Sequence, residues 1–448
     1  MTPLNPAGSA APAALTPDAV LEQAGTGRFQ RRMLGIFGLV WAADAMQVLA
    51  VGFTAPAIAQ SFGLSVPEAL QTGTLFFLGM LIGAAVFGRL ADRFGRRRIF
   101  LITVSGDALF GLLSVISPNF GVLLGLRFLT GLMVGGSLPV DYAMMAEFLP
   151  PKSRGRWLVL LEGFWAIGTL AVALAAWGAQ AAGVADPWRW VFALTALPAL
   201  IGIWLRLRLP ESPHFLLRSG RAAEAEAVLE RVLATNGRPG LPAGRHLAVP
   251  AVGGKPRLFA PGLRRRTGLI LAVWFLVSIS YYGVFTWVPA QLAQQGFGFV
   301  RGFEFLVLLA LAQLPGYALA AYGVERWGRR PTLVGFALAS ALGCALFALA
   351  TSPAVIAAAL LLMSFALLGT WGALYAFTPE LFPTALRASG MGAAGAMARL
   401  GGLLAPSALA FVFLQSFGTA IGLFAFLLLL AALLSLPIDV ETRDRPLD

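Results

Sequence analysis

Apolar runs of helical length, separated by short clusters of Pro, Gly and Arg, dominate the chain. They predict helices at 34–59, 69–91, 98–117, 120–145, 155–183, 188–208, 267–292, 301–323, 331–351, 353–377, 388–413 and 417–437. About 20 apolar residues in helical conformation cross a hydrocarbon layer, and twelve such spans with short loops use most of this length. The one long polar stretch contains ESPHFLLRSGRAAEAEAVLERVL, whose spacing predicts a short amphipathic helix with acidic and basic faces. The N-terminal residues are rich in Ala and Pro and carry no basic residue before Arg28, unlike the start of a signal peptide. The expected layout is a disordered tail over 1–33, a six-helix half over 34–208, a linker over 209–266, a second six-helix half over 267–437, and a tail over 438–448.

The two halves repeat each other. Asp92 precedes Gly95-Arg96-Arg97 as Glu325 precedes Gly328-Arg329-Arg330, and Glu147 and Arg154 stand apart as Glu380 and Arg387 do. All of these pairs share one offset of 233 residues (92 to 325, 147 to 380, 154 to 387). Parallel repeats of six spans, related by an axis along the membrane normal, are a transporter architecture in which one half rocks against the other. The expected fold class is thus an all-α membrane protein of twelve transmembrane helices in two pseudo-symmetric halves.

Composition and charge agree with lipid as the solvent. The chain is 58% hydrophobic and 12% charged, against about 25% charged in soluble domains. A net charge of +12 would suit nucleic acid in a soluble protein, but here its distribution excludes that partner. Of the 33 Lys and Arg residues, all but Arg127, Arg189, Arg301 and Arg399 fall in segments on one side of the predicted spans. This positive-inside bias places both termini in the cytoplasm of a multi-pass inner-membrane protein. The single cysteine, Cys344, lies in an apolar run, so no intrachain disulfide and no metal site are expected. Gly254-Lys255 is followed by Pro256 and lacks the spacing of a phosphate loop, and no nucleophile–base cluster supports an enzyme. No cofactor is expected.

Several of these segments also resemble known signatures. GRLADRFGRRR at 88–98 is similar to the loop between the second and third helices of the major facilitator superfamily. RFLTGLMVGGSLPVDYAMMAEFLPPKSRG at 127–155, PESPHFLLRSGR at 210–221 and ELFPTALRASG at 380–390 resemble its sugar-porter-like branch. Within that branch, WFLVSISYYGVFTW at 274–287 and MARLGGLLAP at 397–406 are similar to the seventh and eleventh helices of organic anion transporters. WAADAMQVLAVGF at 41–53 and TWGALYAFTPELFP at 370–383 resemble the bacterial niacin-transporter and synaptic vesicle glycoprotein 2 group. Sugar porters carry a glutamine in the fifth helix where this chain has Glu162. Their Gln-rich stretch in the seventh is not matched by Gln291, Gln294 and Gln295, which lie too late.

Six ionisable residues fall inside predicted spans: Asp44, Asp107, Arg127, Asp141, Glu162 and Arg399. Each costs roughly 2.5–3.5 kcal/mol at a bilayer centre on insertion scales, so each needs a partner or a wet cavity. Both histidines, His214 and His246, lie in the linker, which leaves carboxylates to carry any coupled proton. The resemblance to sugar–proton symporters implies that Asp44 and Arg127 pair, Asp44 taking the proton. Asp141 and Glu162 are candidates for an inner gate or second proton site, and Asp107 for a polar seam within the first half.

Arg399 is the candidate substrate ligand, because a planar cationic fork suits a carboxylate. Trp274, Tyr281, Tyr282, Phe285, Trp371 and Tyr375 supply aromatic faces around it, while Trp41 and Trp188 read as interfacial belt residues. Asp92, Arg96, Glu147 and Arg154, with Glu325, Arg329, Glu380 and Arg387, are expected to form two cytoplasmic gate networks. Gly79 with Gly83 and Gly131 with Gly135 have the small-xxx-small spacing of close helix contacts. The function expected is proton-coupled import of a small organic anion, an aromatic monocarboxylate such as nicotinate, by a monomer. The alternatives are a sugar or polyol symporter, a drug–proton antiporter, and a non-transporting receptor on the same fold.

Overall fold

The computed structural model describes residues 15–206, 209–242, 247, 257–294, 303–382, 386–408 and 417–438. Twelve long helices run through them. In the first half these are α1 (Arg28–Phe62), α2 (Gln71–Phe94), α3 (Arg96–Val115), α4 (Phe120–Ala146), α5 (Arg154–Ala181) and α6 (Pro187–Arg206). In the second half they are α7 (Arg264–Gln294), α8 (Phe303–Arg326), α9 (Arg329–Leu349), α10 (Pro353–Phe377), α11 (Arg387–Ala408) and α12 (Phe417–Ser435). All but α6 and α11 contain a described stretch long and apolar enough by itself to cross a membrane. Large apolar side chains on the outside, such as Leu342 at 55% and Phe426 at 60% exposure, face the lipid that such a surface requires.

Packing reproduces the repeat. Within the first half α1 packs on α5 and α6, α2 on α4, and α3 on α4 and α6. Adding six to every label gives the main contacts of the second half: α7 on α11 and α12, α8 on α10, α9 on α10 and α12. The halves meet through α1 on α7, α2 on α11 and α5 on α8, and the last two pairs exchange under the same operation.

The glycine pairs explain the closest seam. A Cβ on Gly79 or Gly83 would lie 2.2 or 2.0 Å from the carbonyl oxygens of Phe128 and Leu132. One on Gly131 or Gly135 would lie 2.0 or 2.1 Å from those of Phe76 and Met80. The four glycines therefore form a single α2–α4 contact where no side chain fits. Gly316 repeats it in the second half, 2.2 Å from the Phe365 carbonyl, at the positions equivalent to Gly83 and Leu132. The loops before α3 and α9 turn on equivalent residues too: Gly95 at φ 100° and Gly328 at φ 107°, where a side chain would be strained.

The tail expectation needs correcting over its second part. A short helix spans Pro17–Ala24, capped by Thr16 and anchored by the buried Val20 and Leu21. Asn236, at the end of the linker helix Ala222–Thr235, accepts from the Phe29 N–H at 3.0 Å and donates to Gln30 Oε1 at 2.8 Å. A side chain from the linker thus caps the start of α1.

Candidate functional site

The charged residues on the linker side form networks. Arg96 pairs with Glu147 at 2.9 Å, and the equivalent Arg329 grips Glu380 through Nε at 2.9 Å and Nη2 at 3.0 Å. Arg154 binds Asp18 of the tail helix at 2.9 Å, with His214 Nε2 on the same carboxylate oxygen at 3.5 Å. Ser212 Oγ donates to Glu147, and Glu211 accepts from the Arg97 N–H, so the linker motif clasps both loops. Glu325 is exposed at the end of α8. The side chains of Asp92 and Arg387 lie outside the described residues.

Arg127 is fully buried inside the first half, not paired as expected with Asp44. Its guanidinium donates to Gln47 Oε1 at 3.0 Å, Ser114 Oγ at 2.8 Å and Thr130 Oγ1 at 3.1 Å, and it lies over the Phe192 ring at 4.3 Å. Gln47 passes the contact on, donating to Asp107 at 3.2 Å. Asp44 accepts from Ser137 Oγ at 3.0 Å. Ser137 and Arg127 stand ten residues, about 15 Å of helix, apart on α4, so each side chain meets a different partner from α1. Asp141, one turn beyond Ser137, is buried.

Between the halves lies a cavity. The first half contributes Trp41 from α1 with Glu162 and Trp165 from α5. The second contributes Tyr281, Tyr282, Tyr317, Leu368, Trp371 and Tyr375 from α7, α8 and α10, and Ala398 and Arg399 from α11. Arg399 folds back to donate to the Gly395 carbonyl at 2.9 Å, in space that a Cβ on Gly395 would crowd at 3.0 Å. Glu162 lies within its electrostatic reach. Trp165 Nε1 donates to Tyr281 OH at 2.7 Å, joining the halves. Among the described residues, Trp371 Nε1 and Arg399 Nε are buried in the wall without a hydrogen-bond partner, while Trp41 and Glu162 interact with each other. Such atoms cost about 1–3 kcal/mol each.

Five expected ligands, Arg399, Trp371, Tyr375, Tyr281 and Tyr282, thus line one wall system. Trp274 stands behind them, edge-on to Trp371 and Tyr375, with its indole N–H on Thr378 Oγ1 at 2.8 Å. Phe285 packs at a tilt against Tyr281 but opens onto a second, apolar cavity with Phe53, Leu306 and Met363. Trp41 is no belt residue: it is 2% exposed on the cavity wall. Trp188 is also buried, with its N–H on Ser61 Oγ. Trp41, Trp165 and Tyr317 were not anticipated as wall residues.

The floor on the linker side is a chain of four rings: Trp41, Tyr142, Tyr375 and Trp274, with successive centroids 6.1, 5.6 and 4.9 Å apart. Trp41 and Trp274 share the 233-residue offset, as do Tyr142 and Tyr375. The Tyr142–Tyr375 contact is therefore where the repeat meets itself.

The sequence profile described as Major Facilitator Superfamily matches residues 34–406 and 303–448. The niacin transporter NiaP of Acinetobacter baylyi is 34% identical over 438 residues, covering 96% of this chain and 98% of its own. The putative niacin/nicotinamide transporter NiaP of Bacillus subtilis is 35% identical over 421 residues, 94% and 98% of the two chains. Among solved structures, the E. coli xylose transporter XylE in a partially occluded inward-open conformation superposes with a TM-score of 0.74 at 20% identity, over 94% of this chain and 100% of that one. Repeat, packing and profile agree that the chain is a transporter, not an enzyme, and belongs to the Major Facilitator Superfamily.

Proposed function

We propose that this chain is a proton-coupled symporter that imports a small aromatic monocarboxylate, with nicotinate the first candidate. The observation that carries the reading is one cavity in which a guanidinium with an unpartnered Nε is surrounded by aromatic faces and opposed by Glu162. A planar heteroaromatic ring can stack on these faces while its carboxylate binds Arg399 by charge-assisted hydrogen bonds. The names of the bacterial relatives support this substrate class.

Glu162 is the coupling acid in this reading, because it shares the cavity with Arg399. Asp44, joined to Ser137 one turn from Asp141, offers further acids on α1 and α4. The ion-paired loops Arg96–Glu147 and Arg329–Glu380 hold the linker side closed and break when it opens. The distribution of Lys and Arg supports a cytoplasmic position for the linker and both termini of a multi-pass protein of the cell membrane. One chain holds every wall residue, which supports a functional monomer.

Labelled nicotinate uptake into proteoliposomes, with and without an inward proton gradient, tests the reading. Gradient-stimulated uptake is the expected result. Uptake indifferent to the gradient removes symport, and competition by sugars but not by aromatic acids removes the substrate class.

A further inference from the structure

The tail helix Pro17–Ala24 is held by one charged contact as well as by its apolar face. Asp18 Oδ1 takes Arg154 Nη2 at 2.9 Å and His214 Nε2 at 3.5 Å, while Val20, Leu21 and Ala24 are buried. Arg154 also donates to the Leu149 carbonyl at 3.2 Å, two residues from Glu147. Glu147 in turn accepts from Ser212, two residues from His214, and pairs with Arg96 at 2.9 Å. The other charged residues around His214 are Glu22, one turn along the tail helix, Glu211 and Arg218 on its own segment, and the exposed pair Arg221–Glu224 where the linker helix begins. Lys152 stands in the turn Pro151–Ser153 against the tail helix, its side chain outside the described residues. Histidine is the only side-chain type in this set whose ordinary charge change falls between pH 5 and 8.

With the tail docked, His214 faces a carboxylate and a guanidinium together. With the tail released, the carboxylate is gone and the guanidinium stays. Docking therefore adds one negative charge beside the imidazole, and His214 holds a proton more tightly when Asp18 is in place. Nδ1, buried without a hydrogen-bond partner among the described residues, works against the charge through desolvation. The contact with Asp18 is the stronger effect on the pair, since it outranks burial in holding the Asp18 carboxyl down to about 2. By linkage, acid that charges His214 favours the docked tail, and that gain is lost as pH rises. We propose that the tail helix is a proton-operated brake: a proton taken up by His214 from the linker side fastens Asp18, which keeps Arg154 away from Glu147 and leaves the Arg96–Glu147 pair intact. When the tail lifts, Arg154 competes with Arg96 for Glu147, and the linker side opens more readily. This goes beyond the transport reading and rests on it only for the role of the Arg96–Glu147 pair as a latch. In a carrier that brings in protons, the brake engages as the linker side acidifies and so limits the acid load of its own transport.

Two measurements on the full chain, neither needing a substrate, test it. The first is hydrogen exchange of residues 17–24 at about pH 6 and about pH 7.5, corrected for the chemical exchange rate at each pH. Protection of the wild-type segment is expected to be about threefold or more greater at the lower pH. His214→Gln should show no such rise, and His214→Arg, with a fixed charge, should be protected at both. The second is labelling of Tyr142→Cys by a polar maleimide from the linker side, compared between variants at one pH so that thiol reactivity cancels. At about pH 6, adding His214→Gln should speed labelling about threefold or more, and at about pH 7.5 the difference should shrink. The wild-type exchange series stands by itself should a variant fold poorly. Wild-type protection that does not rise with acid, or an equal rise in His214→Gln, overturns the switch. Protection that follows pH while labelling at about pH 6 is the same with and without His214→Gln shows a tail that docks without braking, and that also overturns the proposal. A failure of nicotinate to be transported would remove the proposed function and leave both of these results standing.

Discussion

Arg399 shows how much one side chain can disclose. An ionisable group in an apolar run needs a partner or a wet cavity, and Arg399 and Glu162, which stand out in the sequence on that ground, both line the cavity. Truncating one member of a buried charge pair costs about 2–5 kcal/mol, so Arg399→Ala is expected to lower kcat/KM for nicotinate by at least about thirtyfold. Arg399→Lys keeps the charge but not the fork, and recovers no more than about a tenth of wild-type activity. Wild-type uptake by either variant would remove the clamp. What sequence could not give was the facing of each helix. Asp44 and Arg127 sit at compatible depths, yet Gln47 and Ser137 take their places as partners. A Trp near the start of a predicted span reads as belt on composition alone, which hid Trp41. The usable signal was its offset from Trp274 and that of Tyr142 from Tyr375, since equivalent residues near the axis approach each other.

At the scale of elements, helix positions were legible because hydrophobic length is a direct requirement of the bilayer. The spacing of the glycines showed close packing, but not that both pairs belong to one seam. A methyl at Gly83 or Gly316 would push against a carbonyl oxygen that belongs to the facing helix backbone. Each Gly→Ala variant is expected to lose about 1–3 kcal/mol through overpacking, seen as a lower Tm in detergent. Gly335→Ala, with nothing near its Cβ position, leaves Tm unchanged. The tail helix was missed because eight residues carry little periodicity and its anchors come from distant segments. The His214 hydrogen bond, and the charge of Arg154 after it, hold the Asp18 carboxyl down to about 2 from an ordinary 3.8, against the opposing effect of burial. A lowered carboxyl pKa stabilises the docked form above about pH 4, and that contribution fades as pH falls toward 2. Asp18 is 43% exposed, so solvent screening limits it to about 1 kcal/mol. Asp18→Asn at neutral pH should speed hydrogen exchange in residues 17–24 by a few-fold, and unchanged exchange would mean that Val20 and Leu21 alone hold the helix.

For the whole molecule, the six-plus-six architecture was readable from three charged landmarks, whereas the cavity between the halves needed the packing of α1, α5, α7, α8, α10 and α11. Loss of both loop pairs in Glu147→Gln with Glu380→Gln should favour opening on the linker side. A cysteine introduced at Tyr142 would report it, since the one native thiol, Cys344, is buried. Its labelling by a polar maleimide added from the linker side is expected to rise several-fold when the pairs are lost, and an unchanged rate would show that the pairs do not latch the floor. The ring chain also bears on how the protein is made. Tyr142 meets Tyr375 as a residue meets its own copy, and α2 on α11 is α5 on α8 with the halves exchanged. The face that the first half presents is therefore nearly self-complementary, like one side of an isologous dimer. During synthesis that face lies bare in the bilayer until the second half arrives, and the linker favours the correct encounter by raising its effective concentration. Six-helix halves expressed as separate chains should then reassemble into a working carrier when mixed, and the first half alone should associate with itself, both measurable by affinity capture of differently tagged copies.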